Sequence, residues 1–169
     1  MTDPLAAPGD LELVRQFVNT RDLELGTERL ATPKDLDAAL GVTGSTAADL
    51  ERAIAFREAL RALLLANTTG DLPPPRAAAT VAAAGPLRVD EDLRVAGDGL
   101  ASLLAIVVSA KADGSWARLK ACPGNDCEWA LYDHTRSRTR RWCAGAKCGA
   151  RTRSRAYRAR RASGPPAAP

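Results

Sequence analysis

Four cysteines are the residues of this 169-residue chain best suited to chemistry. They stand as Cys122-x4-Cys127 and Cys143-x4-Cys148, with fifteen residues between the pairs. Two close pairs joined by a short stretch are the arithmetic of a tetrahedral all-cysteine zinc site: each pair sits on a tight turn, and the stretch between folds back to bring the turns together. Pro123-Gly124-Asn125 in the first pair and Gly145 in the second supply turn residues. Other uses of four cysteines fit less well. Disulfides need an oxidising compartment, and the stretch from Met1 to Asp10 has no basic, apolar export signal. An iron–sulfur cluster would use a close triplet of ligands, and a redox pair two intervening residues instead of four. Four thiolates fill the tetrahedron and leave no place for water, so the expected zinc is single and structural. His134 lies between the pairs as a conceivable substitute ligand, but a lone histidine among arginines reads as a surface or supporting residue.

Around the cysteines the chain is strongly basic. Residues 1–117 carry a net charge of −6 and residues 118–169 a net charge of +10. Ten arginines, at 136, 138, 140, 141, 151, 153, 155, 158, 160 and 161, fall within 26 residues, and no acid follows Asp133. The stretch from Gly149 to Arg161 contains no proline and reads as a helix with Arg151, Arg155 and Arg158 on one face and Arg153 and Arg160 on the other. A helix basic all round has little to bury and gains from an anionic partner. The guanidinium fork matches phosphate oxygens, so these ten arginines are the candidate nucleic-acid contacts, with DNA as the leading partner and RNA or an acidic protein surface as alternatives. Trp129 and Trp142 read as core around the metal, and Tyr157 as a residue able to stack on a base.

The rest of the chain must position this unit. Hydrophobic residues make up 46% and aromatics 4%, with Ala and Leu prominent, which favours helices. Asp10 precedes an apolar repeat of Leu11, Val14, Phe17 and Val18. Thr32-Pro33 opens a short helix closed by Gly41, and Thr46 with Asp49 opens the longest one, whose stripe from Leu50 to Leu64 is interrupted by Arg52, Arg57 and Arg61. Leu87 to Val95 reads as a short hairpin, and Leu100 to Ser109 as another apolar helix. The expected fold is mainly α: a helical domain over residues 1–115, a zinc finger over 116–162 built as knuckle, hairpin, knuckle and helix in a treble-clef-like arrangement, and a disordered tail over 163–169. No apolar run is long enough to span a bilayer, and the expected location is the cytoplasm. One histidine, no cysteine outside the four and no Gly-rich phosphate loop leave nothing that points to an enzyme.

These residues also carry a family resemblance. Cys122-x4-Cys127, Tyr132-Asp133, the Thr135 to Arg141 Ser/Thr-Arg stretch, Arg140-Arg141-Trp142-Cys143 and Cys148-Gly149 resemble the bacterial CGNR zinc finger, with Ala150 where its signature has asparagine. Phe17-Val18-Asn19-Thr20 and Phe56-Arg57-Glu58-Ala59-Leu60 resemble the ABATE helical domain that precedes this finger. The resemblance implies a transcription regulator that binds zinc through Cys122, Cys127, Cys143 and Cys148 and binds DNA with its basic residues. The helical part would then sense a small-molecule effector or mediate self-association. Ala150 departs from the signature at that one position and leaves the ligands untouched.

Overall fold

A computed structural model describes residues 3–124 and 126–162. The expected disordered tail and Asn125 of the first turn lie outside the described residues. Among the described residues six α-helices dominate, in the order α1 (Leu11–Val18), α2 (Pro33–Leu40), α3 (Ala47–Thr69), α4 (Pro75–Ala82), α5 (Leu100–Ala112) and α6 (Ala150–Ala162). Three two-stranded antiparallel hairpins accompany them: β1 (Arg21–Asp22) with β2 (Thr27–Glu28), β3 (Arg88–Val89) with β4 (Val95–Ala96), and β5 (Leu119–Ala121) with β6 (Ala130–Tyr132).

Local chemistry sets the helix ends. Thr32 and Thr46 each form a reciprocal capping box, with Asp35 and Asp49 respectively, and an Asp does the work usually given to Glu because its shorter side chain still reaches the cap N–H at 2.8 Å. Gly41 and Gly70 end α2 and α3 in the left-handed conformation that other residues adopt only with strain. Asp10 differs from expectation: it precedes α1, but its side chain makes no capping bond. Its carbonyl instead accepts the Leu13 N–H at 2.9 Å, and Glu12 reaches back to the Ala7 N–H at 2.7 Å.

One face each of α1, α3 and α5 meets in the main core, through Val14, Phe17 and Val18, then Phe56, Leu60 and Leu64, then Leu103 and Val107. Phe17 and Phe56 pack edge to face with ring centroids 6.0 Å apart. The core continues into the cysteine-bearing part, since Trp116, Leu119, Ala121, Ala130 and Tyr132 belong to the same buried cluster. Polar side chains lock this junction. Asn67 of α3 donates to the carbonyls of Trp116 and Leu119, Thr68 donates to the Ala121 carbonyl at 2.6 Å, and the Asn19 amide both donates to and accepts from the backbone of Ala130, at 2.9 and 2.7 Å. Backbone groups of a hairpin buried against helices need such partners, because the strands supply only two edges.

The stripe of α3 holds a second departure. Arg52 stays in solvent, whereas Arg57 and Arg61 are buried inside the fold. Arg57 pairs with Glu28 of β2 and with Glu58, and Arg61 pairs with Glu58 and donates to the Val18 carbonyl at 2.7 Å. The arginines do not interrupt the core; Glu28 from the β1–β2 hairpin and Glu58 from α3 itself supply the carboxylates that make their burial tolerable.

Candidate metal centre and basic face

The first cysteine pair occupies the connection between β5 and β6. Leu119 faces Tyr132, Lys120 faces Leu131 and Ala121 faces Ala130, after which the chain turns through Cys122 and Cys127. The Cys122 N–H donates to the Trp129 carbonyl at 3.0 Å, and the Cys127 N–H to the Gly124 carbonyl at 3.0 Å, which fixes a tight knuckle with both sulfurs on one side. The hairpin therefore encloses the first pair instead of lying wholly between the pairs: of the intervening stretch only 130–132 is strand, and its partner precedes Cys122. The second pair is shaped differently. The N–H groups of Lys147, Cys148 and Gly149 converge on the carbonyl of Ala144, at 3.3, 2.9 and 3.4 Å, in one wide turn that runs straight into α6. Ala150, in the place of the signature asparagine, is the first residue of α6, directly after the turn closed on the Ala144 carbonyl.

The four sulfurs come together, all within 4.8 Å of one another, and three of the four cysteines are buried. Cys127 and Cys143 sulfurs are 3.4 Å apart, and those of Cys143 and Cys148 are 3.6 Å apart. A tetrahedron of Zn–S bonds of about 2.3 Å has sulfurs about 3.8 Å apart, so the cluster has the size the ion requires, while a disulfide at about 2.05 Å is excluded. The electrostatics agree. Hydrogen bonds from Cys127 and Cys143 push the Cys122 thiol far down, and in return the bond to Cys122 holds the protons of Cys127 and Cys143 firmly in place. Leu5, Leu131, Trp129 and Trp142 pack around the cluster, so these two tryptophans are core, and Trp116 belongs to the main core. His134 stays outside, 2.7 Å from the Ala6 carbonyl and edge-on to Tyr132.

A buried ion pair holds the arginine stretch between the knuckles. Lys120 Nζ lies 2.7 Å from Asp133 Oδ2 and also donates to the carbonyls of Arg138 and Arg140. Asp133 in turn accepts from the Arg140 N–H at 2.9 Å and from the Thr135 N–H and hydroxyl at 2.9 and 2.6 Å. Burial alone would raise its pKa; these bonds hold it down to about 2. Neither residue stands out in the sequence as a positioning group, although the aromatic-Asp of the family pattern is Tyr132-Asp133.

The ten arginines divide by partner. Arg140 is half-buried and structural, donating to the carbonyls of Trp142 and Cys143. Arg151 and Lys147 both pair with Glu24, in the β1–β2 turn, at 2.9 and 2.7 Å, and Arg155 pairs with Asp126 of the first knuckle at 3.1 Å. Arg161 lies over the exposed Tyr157 ring. Arg136, Arg138, Arg141, Arg153, Arg158 and Arg160 are exposed and make no ion pair among the described residues. The sequence places Arg151, Arg155 and Arg158 together correctly, since all three line one groove on α6. It does not reveal that two of them face carboxylates brought in from elsewhere in the fold.

Comparison with known protein families agrees with this architecture. No helix of the described residues is long and apolar enough to cross a membrane. No curated protein matches the chain. Residues 118–161 match the CGNR zinc finger. Residues 11–119 match ABATE, described as "Putative stress-induced transcription regulator". Since the second match covers well over half of its length, the chain belongs to the ABATE family, and it carries a CGNR finger built to hold one structural zinc ion.

Proposed function

We propose that this protein is a zinc-dependent, DNA-binding transcription regulator acting in the cytoplasm. Cys122, Cys127, Cys143 and Cys148 ligate the zinc. The finger of residues 116–162 meets phosphate with its arginines, and the helical part of residues 1–115 receives the signal or the second subunit. Neither matched family is an enzyme family, and one describes transcription regulators. The observation that carries the reading is the set of six exposed arginines without an ion-pair partner among the described residues, displayed on a stretch and a helix that the cysteine cluster and the Lys120–Asp133 pair hold in place. Guanidinium groups positioned in advance lose less freedom on binding than the same groups on a loose tail.

The test is a titration of the zinc-loaded protein with duplex DNA at several salt concentrations. Each phosphate neutralised contributes about −0.9 to the slope of log K against log salt, so six contacts predict a slope near −5. Replacing Arg153, Arg158 and Arg160 by Ala should flatten that slope by about three. No binding at low salt, or an unaltered slope in the variant, overturns the reading.

A second reading has an observation of its own. The pairing of Lys147 and Arg151 with Glu24, and of Arg155 with Asp126, supports a module that docks acidic protein surfaces. An acidic protein or single-stranded RNA that displaces duplex DNA at equal charge concentration would favour that module, or an RNA binder, over a DNA regulator.

A further inference from the structure

The helical part contains a cleft bounded by α1, α2 and α5, with a volume of about 690 Å³. Its floor is apolar and well packed: Phe17, Leu30 and Leu103 are all buried and line it. One wall carries Arg29, just after β2. Its guanidinium has one hydrogen-bond acceptor, the Asn19 carbonyl at 2.8 Å, and pairs with no carboxylate among the described residues. Asp35 also lines the cleft, but one of its carboxylate oxygens is engaged by the Thr32 N–H and hydroxyl as the cap of α2. An apolar floor beneath a single unneutralised cation is complementary to one class of small molecule, an organic acid with one carboxylate and an apolar body.

We propose that this cleft is a binding site for such a monocarboxylate, with Arg29 receiving the carboxylate and Phe17, Leu30 and Leu103 receiving the apolar body. The site is wired to the finger. The Asn19 carbonyl that Arg29 holds belongs to the residue whose side-chain amide clamps Ala130 of β6. The chain leading into Arg29 is the β1–β2 hairpin, whose turn carries Glu24 to Lys147 and Arg151 at the start of α6. A carboxylate that draws hydrogen bonds from the remaining N–H groups of Arg29 pulls on the guanidinium that holds the Asn19 carbonyl and so shifts the clamp on β6. Only the consequence for DNA rests on the regulator reading; the binding itself does not.

The experiment uses the full zinc-loaded chain and needs no DNA. Phenylacetate is titrated calorimetrically, with phenylacetamide as the neutral control, into the wild type, Arg29→Gln and Ala38→Phe. Ala38 is exposed at the mouth of the cleft, so a phenylalanine there fills it without disturbing the core. Phenylacetate should bind, phenylacetamide and the Arg29→Gln protein should each show affinity lower by about tenfold, the worth of one charge-assisted contact, and Ala38→Phe should abolish binding. No heat with phenylacetate, equal affinity for the acid and the amide, or binding retained in Ala38→Phe overturns the proposal. Amide exchange at Ala130 should change on saturation of the wild type, and an unchanged Ala130 with ligand bound overturns the link to the finger.

Discussion

Arg57 is fully buried with its guanidinium fork closed on both oxygens of Glu28, at 2.6 and 2.7 Å. A bidentate pair of this kind costs much to break from one side, because the partner left behind is a buried charge. Glu28→Gln should therefore destabilise the protein by about 3 kcal/mol, nearer the lower end for such pairs because Glu58 still holds Arg57 Nε. Burial would raise the pKa of Glu28 and Glu58, but hydrogen bonds from Arg57 and Arg61 hold both below the usual carboxylate range. A lowered folded-state pKa gives stability that is complete above the unfolded value of about 4.3 and is lost as pH falls through the folded one. In urea unfolding followed by helical ellipticity, the gap between wild type and Glu28→Gln should be widest near pH 6 and narrow below about pH 4. A gap of constant size would refute the assignment.

Removing the metal should release the finger unevenly. Residues beyond Arg140 depend on the cysteine cluster for their path, whereas the stretch up to Arg140 is also held by Lys120 and Asp133, and Leu119, Ala121, Ala130 and Tyr132 are packed in the helical core. With a strong chelator, trypsin should cut at Arg141, Lys147 and Arg151 at least ten times faster than in the zinc-loaded protein. Cleavage at Lys120, buried beside Asp133, should rise far less. Mass spectrometry of the fragments reads both sites at once, and equal acceleration at Lys120 would show that the hairpin too depends on zinc.

Asn19→Ala removes both side-chain bonds to Ala130 and strands its buried N–H and carbonyl. Each unsatisfied buried backbone group costs about 1–3 kcal/mol, so a loss of about 2–4 kcal/mol is expected. Thermal unfolding should show the helical signal and the tryptophan fluorescence shifting down together, since the clamp joins the two parts. A drop in one signal alone would mean that the junction is not cooperative.

Glu24 occupies two cations that phosphate would otherwise claim, Lys147 and Arg151, and they in turn hold its carboxyl below the usual range. Glu24→Gln should strengthen duplex binding severalfold at low salt, and the gain should fade as salt rises, because exposed pairs are screened. Affinity equal to wild type at every salt concentration would mean that these contacts do not compete with the nucleic acid.

Much of this was legible in the residues alone. The spacing of the four cysteines, the two Thr-x-x-Asp caps, the closing glycines at 41 and 70 and the arginine helix from Ala150 are local features, each governed by residues within one or two turns of chain. Local chemistry has few solutions, and sequence spacing records them directly. The resemblance of Phe17-Val18-Asn19-Thr20 to ABATE marked the right stretch, but not that its asparagine grips a strand 111 positions away.

What tertiary structure alone decided are the pairings across long gaps. Arg57 and Arg61 look like breaks in an apolar stripe until a hairpin from earlier in the chain delivers Glu28 to the first and the Arg21 carbonyl to the second. Lys120 and Asp133 look like ordinary charges until the β5–β6 register sets them side by side under the arginine stretch. Arg151 and Arg155 are chemically equal to Arg158, yet two of them meet carboxylates and the third makes no ion pair among the described residues. A charge is recognisable from its residue type. Whether it is buried, paired or left for a ligand depends on which distant segment packs against it, and that is settled only when the whole chain has folded.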